Sequence, residues 1–378
     1  MTRFTLDGSD ALETRLAQVC DKVLAGVRSV VPAAFLEGLL LGGGYGRGEG
    51  GVLREGGEDL PYNDLEFYVF VRGNAILAER KFRQPLHELG ERLSPEGGLE
   101  VEFKTLTLEK LRGSPPSMFY YDLVAGHRWL LGDDSLLAGC ERHRDPAAIP
   151  LGEATRLLMN RCSGLLFSLE RLNRPQFGPE EADFVGRNLA KAQLAFGDVL
   201  LTARRQYHWS CRERHARLAA IAFEDDLAWA RPLVDHHAAG VAFKLHPTRS
   251  TESRETLATR HADLRSLGGQ LWFWIESHRL GAHFASPREY ALGGVNKCPE
   301  TSAWKNRLLN FRAFGASALA CARYPRQRLF HALALLLWEP TALTDPALRA
   351  ALRRDLNTQA TDLPSLVAAY TRLWSRFN

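Results

Sequence analysis

The chain has 378 residues, 45% of them hydrophobic and 24% charged, with a formal net charge of +4. These are the proportions of an ordinary soluble globular protein. No run approaches the ~18 apolar residues of a membrane span, and the polar start MTRFTLDGSDALETRL lacks the apolar centre of a signal peptide; the expectation is a cytoplasmic protein with no membrane partner. The length suits two domains, because one hydrophobic core usually stops growing at ~250–300 residues. Six cysteines (Cys20, Cys140, Cys162, Cys211, Cys298 and Cys321) lie far apart without a CxxC pair, which reads as isolated reduced thiols rather than a disulfide or zinc framework. Charge is uneven: residues 1–145 carry a net −6 and the remainder +10. An acidic half holding a carboxylate site, joined to a basic half, suits a metal-assisted reaction on a polyanion such as a nucleoside triphosphate.

In chain order, Asp10–Val30 has helical apolar spacing with Ser9 or Asp10 as its cap. Residues 35–41 read as a buried strand, Asp64–Val71 as a second strand, residues 75–93 as a helix and residues 99–108 as an alternating strand. Short helices are expected at residues 106–111 and 118–124, leading through residues 127–131 to a turn at Gly132-Asp133-Asp134. This first half is α+β, built on a small mixed sheet. Pro146 and Pro150 mark the boundary, which gives domains 1–146 and 147–378. Beyond it helices are expected at residues 153–172, 180–205, 212–223, 226–241, 252–280, 304–322, 327–338 and 363–377. These make a helical-bundle domain without a fixed repeat.

The most informative stretch is LLLGGGYGRGEGGVLREGGEDLPYNDLEFYVF, residues 39–70. An apolar run ends in a glycine loop carrying Arg47 and Glu49, and a second apolar run begins with Asp64 and Glu66. Residues two apart on a strand project from the same face, so both carboxylates converge beside the loop. LEVEF at residues 99–103 supplies Glu100 and Glu102 on one face of a further strand. That spacing also suits the solvated face of an edge strand, but a third carboxylate beside the first two completes a site able to hold Mg²⁺ or Mn²⁺ against a phosphate.

As an ordered set, Gly43-Gly44-Tyr45-Gly46-Arg47-Gly48-Glu49, Asn63-Asp64-Leu65-Glu66 and Val101-Glu102-Phe103 resembles the DNA polymerase β-type nucleotidyltransferase superfamily. The likeness is to bacterial minimal and kanamycin nucleotidyltransferases carrying a C-terminal helical domain. Arg47-Gly48 stands where the family loop ends, and Trp129-Leu130-Leu131-Gly132-Asp133 resembles its closing turn. The resemblance covers residues 30–135 and implies transfer of a nucleoside monophosphate, with ATP as the expected nucleotide, to an acceptor with release of pyrophosphate. Asp64, Glu66 and Glu102 (or Glu100 in its place) would be the catalytic metal ligands. Gly43, Gly44, Arg47 and Lys191 would hold the nucleotide, Lys191 because family members project a basic residue from the helical domain. The acceptor, whether small molecule, protein or RNA, stays open. The chain departs from the family pattern in a longer connection between loop and Asp64, in Gly44 where serine is common, and in Glu66 for the commoner aspartate.

Other phosphate motifs fare worse. Gly46-x-Gly48-x-x-Gly51 matches GxGxxG in letters, but no apolar helix follows to meet a pyrophosphate. GxxxxGK[ST] and GxSxG are absent. Two alternatives stay open: a catalytically degenerate nucleotide-binding protein with a regulatory or antitoxin-like role, and a HEPN-like ribonuclease suggested by Arg231 and His236 in Arg-x4-His spacing.

Overall fold

The computed structural model describes residues 3–378. It is α+β, with these elements in chain order: α1 Asp10–Val30, β1 Leu36–Leu41, α2 Gly43–Gly46, β2 Gly51–Glu55, β3 Glu58–Tyr62, β4 Asp64–Val71, α3 Ala75–Gly97, β5 Glu100–Leu106, α4 Leu108–Gly113, α5 Met118–Ala125 and β6 Arg128–Leu131. After three short 3-10 turns come α6 Leu151–Leu172, α7 Pro179–Ala203, α8 Cys211–Ala219, α9 Leu233–Leu245, α10 Arg254–Leu280, α11 Pro287–Leu292, α12 Ala303–Phe314, α13 Arg326–Trp338, α14 Pro346–Leu356 and α15 Leu363–Phe377.

The chain forms two compact units. One holds residues up to Glu153 together with Leu200–Ala222 and Val234–Thr248; the other holds Ala154–Val199, Phe223–Leu233 and Arg249–Asn378. The sequence reading assigns everything after residue 146 to a helical domain, whereas the sheet unit takes in two later helical segments. Buried polar anchors hold them there, as described below.

In the first unit the four-stranded sheet has the order β5-β4-β1-β6. β1 runs antiparallel to both neighbours, while β4 and β5 are parallel. Parallel strands need a crossover, and α3 supplies it. Alternation sends Leu65, Phe67, Val69 and Val71 of β4 into a core shared with α1 and α3, which contribute Leu16, Val23, Phe82 and Leu89 among others. Tyr68 and Phe70 enter the core on the other face with Leu40, Leu106, Leu111 and Val124. Asp64 and Glu66 belong to that second face by their spacing.

Several boundaries move for identifiable reasons. The polar stretch between the glycine loop and Asp64 is a hairpin, β2–β3, turning at Gly56-Gly57 with φ of 62° and 84°. Two adjacent left-handed glycines make the two-residue turn that matches strand twist. The expected helix at 226–241 splits at Pro232 into a 3-10 turn and α9, because proline lacks an amide donor. The helix expected at 304–322 stops at Phe314, where Gly315 adopts φ 84°. Two helices, α11 and α14, are additional; α14 begins on an Asp345 cap followed by Pro346, a favoured start.

α3 lies hard against β5: a Cβ on Gly90 would stand 2.3 Å from the Val101 carbonyl oxygen. Gly90→Ala therefore sets helix propensity, worth up to ~1 kcal/mol in favour of alanine, against a backbone clash. The clash should win, lowering stability by ~1–3 kcal/mol in urea denaturation. A stabilised variant would show that α3 and β5 are not held this closely.

Candidate active site

β4 and β5 pair with Asp64 opposite Glu100 and Glu66 opposite Glu102. Asp64, Glu66 and Glu102 each offer a carboxylate oxygen, and these oxygens all lie within 4.8 Å of one another. Glu100 is exposed on the edge strand, so Glu102 is the third member of the cluster. Both strands enter the sheet at this end, and their parallel register stacks the acidic side chains on one face.

The positions around the cluster are specific. Asn63, directly before Asp64, has φ 74°, a left-handed conformation that asparagine tolerates better than most residues. It turns the chain from the hairpin into β4. The loop start is tied to the same strand, since Gly42 N–H donates to the Glu66 carbonyl at 2.9 Å. Gly43 follows with φ 60°, and a Cβ there would lie 3.5 Å from Glu66 Oε2. The glycine turn α2 therefore abuts the carboxylates, and the leading N–H groups of such a turn have no partner within the turn. Tyr45 holds the far side of the loop: its hydroxyl accepts from Tyr62 N–H at 2.7 Å and lies 2.9 Å from the Gly51 carbonyl.

Electrostatics mark the cluster as short of positive charge. Burial, then the nearby Glu66 carboxylate, pushes the Asp64 carboxyl above its ordinary value. Glu102 moves the same way, through burial first, with Lys104 opposing and Asp64, Glu100 and Glu66 adding. Lys104 Nζ stands 3.4 Å from Glu66 Oε1 and 3.8 Å from Glu102 Oε2. Tyr68 donates its hydroxyl to Glu66 Oε2 at 3.0 Å. Three carboxylates thus face one ammonium and one neutral donor. The all-oxygen donor set and the lysine cation already drawn against two of its members fit a hard divalent cation such as Mg²⁺.

No protein-family model matches the chain, and no curated protein matches it either.

The other expected site residues are placed differently. Gly44 is inside α2. Arg47 is drawn inward: its Nη1 pairs with Asp122 Oδ2 at 2.9 Å, and its side chain is only 10% exposed. Tyr207 also donates to Asp122, at 3.3 Å, and Arg214 donates to Tyr207 at 3.2 Å. Arg47 is thus a buried structural cation behind the loop rather than a free phosphate ligand. Lys191 is exposed on α7, in the second unit. Arg231 lies ahead of α9 and donates to the Phe223 carbonyl at 3.2 Å, while His236 is on α9 itself.

Sequence reasoning missed the role of Glu49. This buried carboxylate accepts from Ser210 Oγ at 2.5 Å and from Cys211 N–H at 2.9 Å, so it caps α8 from the glycine loop. Lys244 of α9 joins the same neighbourhood; burial, then Arg47, holds its ammonium below the ordinary value. These contacts explain why α8 and α9 belong to the sheet unit. The only signal in the letters was an acidic residue inside an otherwise small-residue loop.

Burial would raise the Glu49 carboxyl, but the hydrogen bonds from Ser210 and Cys211 outweigh it and leave it lowered. A lowered carboxylate stabilises the fold above its unfolded value of ~4.3, and that contribution is lost as pH falls through the folded value. Glu49→Gln should therefore cost ~1–3 kcal/mol near neutrality, with the gap from wild type closing below about pH 4. Denaturation curves at both pH values give the test; a gap unchanged in acid would remove the ionised Glu49 from the account.

Proposed function

We propose that the sheet unit is a nucleotidyltransferase that moves a nucleoside monophosphate from a triphosphate, with ATP as the expected donor, to an acceptor hydroxyl. The observation that carries this reading is the convergence of Asp64, Glu66 and Glu102 beside the glycine turn. Asp64, Glu66 and Glu102 would hold Mg²⁺ or Mn²⁺. Such an ion, when bound, neutralises charge on the phosphate oxygens. The turn at Gly43 and Gly44 offers backbone N–H groups where a phosphate can approach closely. Behind it, Arg47, Arg214 and Lys244 outnumber Glu49 and Asp122 among the nearby charges, giving the loop a positive backing.

In the reaction, the acceptor oxygen forms a bond to the α-phosphorus while the bond from that phosphorus to the β-bridging oxygen breaks. Pyrophosphate leaves with the electron pair. Glu102, raised by its surroundings and partly open to solvent, would help activate the acceptor hydroxyl as metal ligand or as the base that takes its proton. Tyr68 keeps Glu66 oriented through its hydroxyl, and burial holds that hydroxyl protonated by pushing its pKa well up.

Calorimetry with ATP, with and without Mg²⁺, tests the binding half of this reading. Binding should require Mg²⁺ and weaken at least ~10-fold in Asp64→Asn, since the substitution removes both a ligand and a charge. Unchanged affinity in the variant would contradict the assignment. Incubation with α-labelled triphosphates and a panel of hydroxyl acceptors then tests transfer. Binding without transfer to any acceptor would favour the degenerate nucleotide-binding alternative.

A further inference from the structure

α12 is built inside out. Asn306 and Asn310 are its buried residues, at 2% and 0% exposure. Asn306 Nδ2 donates to Thr301 Oγ1 at 2.8 Å and to the Ala322 carbonyl at 2.9 Å. Asn310 Nδ2 donates to the carbonyls of Asn306 and Arg323, both at 2.8 Å. These bonds fix the rotation of the helix, so its outward face is not a matter of chance.

That outward face is apolar. Trp304 is 65% exposed, Leu308 38% and Phe311 44%, and Leu319 just beyond the helix is 51% exposed. The first three follow i, i+4, i+7 spacing, which makes one stripe on a helix. At 100° per residue, Lys305 and Arg312 flank the stripe on one side and Arg307 on the other. All three cations are exposed. The charge bias extends further: residues 301–338 contain six Lys and Arg and no Asp or Glu. Nearby, a cleft of about 610 Å³ lined by Phe314, Ser317 and Arg328 adds two more guanidinium groups, those of Arg353 and Arg354.

We propose that α12 and Leu319 form a docking surface for an anionic lipid bilayer, lying flat on it rather than crossing it. The aromatic and leucine stripe would enter the headgroup–acyl boundary while the flanking cations meet anionic headgroups, the arrangement of an interfacial amphipathic helix. No described helix is long and apolar enough to cross a membrane, and surface attachment requires none. This departs from the sequence expectation of no membrane partner and does not depend on the nucleotidyltransfer reading. Leu308 and Leu319 favour lipid over a nucleic acid, because a base-stacking surface needs aromatic faces rather than aliphatic side chains.

Co-sedimentation of the full chain with phosphatidylcholine vesicles, and with vesicles containing about one-third phosphatidylglycerol, tests the proposal. Binding to the anionic vesicles should be at least ~10-fold tighter and should weaken with salt. The double variant Trp304→Ser, Phe311→Ser should reduce it at least ~10-fold, because two large apolar groups no longer enter the boundary. The triple variant Lys305→Glu, Arg307→Glu, Arg312→Glu should remove the preference for anionic lipid. Ile76→Ser, Leu77→Ser, which removes an exposed apolar pair on α3, should leave binding unchanged. Circular dichroism and thermal melting confirm that each variant is folded. Absence of binding to either vesicle overturns the proposal, as does equal loss in the α3 variant. Self-association in sedimentation velocity that disappears in the Trp304, Phe311 variant, or RNA binding lost in the triple variant, without vesicle binding, would assign the face to a second copy or to RNA and overturn it equally.

Discussion

Everything at the candidate site depends on one pairing: β4 against β5, parallel, with Glu66 opposite Glu102. Side-by-side carboxylates repel, so the register is not one that the acidic side chains would select for themselves. It is imposed from the other face, where Leu65, Phe67, Val69 and Val101 enter a core with α1 and α3. A slip of one residue would turn that apolar set away from α1 and α3 and onto the opposite face. Hydrophobic burial on one face therefore holds together a charge cluster on the other. Lys104 and the Tyr68 hydroxyl offset part of the repulsion, leaving a net need for a cation.

The acidic cluster was legible because strand alternation is the simplest rule in a sequence: Asp64 and Glu66, then Glu100 and Glu102, could only share faces. Choosing between Glu100 and Glu102 needed the register, which no spacing within one strand contains. Lys104 continues the same alternation and was open to the same argument. The β2–β3 hairpin escaped because its strands are short and polar, although Gly56-Gly57 carries a turn signal of its own. Arg47 and Glu49 were harder. Their letters suit a phosphate loop, yet both point inward to partners at Asp122 and Ser210 that lie far along the chain. Only tertiary structure distinguishes a loop cation facing a ligand from one facing a buried aspartate. Except for α11 and α14, the helices of the second half were legible through periodicity. Their ends moved at Pro232 and Gly315, where backbone chemistry overrides pattern.

The basic excess of the second half now has a more definite location. Part of it is structural, as in Arg279, which is paired with buried Glu276 at 2.7 Å. Part is concentrated around α12, where an unbroken absence of acidic residues coincides with an exposed apolar stripe. Periodicity alone misleads there, because it assumes that the apolar face is the buried one. Asn306 and Asn310 reverse the assumption by finding backbone carbonyls to bond in the interior. Amide nitrogens that keep their hydrogen bonds can be buried at modest cost, and the apolar side chains are left for another surface.

We propose Asp64, Glu66 and Glu102 as the ligands of a divalent cation. Anomalous diffraction from crystals soaked in manganese chloride tests this proposal most directly. A peak should appear bounded by these three carboxylates, with the Lys104 ammonium displaced from between Glu66 and Glu102, and should be lost in Asp64→Asn. Manganese bound elsewhere, with Lys104 still bridging Glu66 and Glu102, would contradict it.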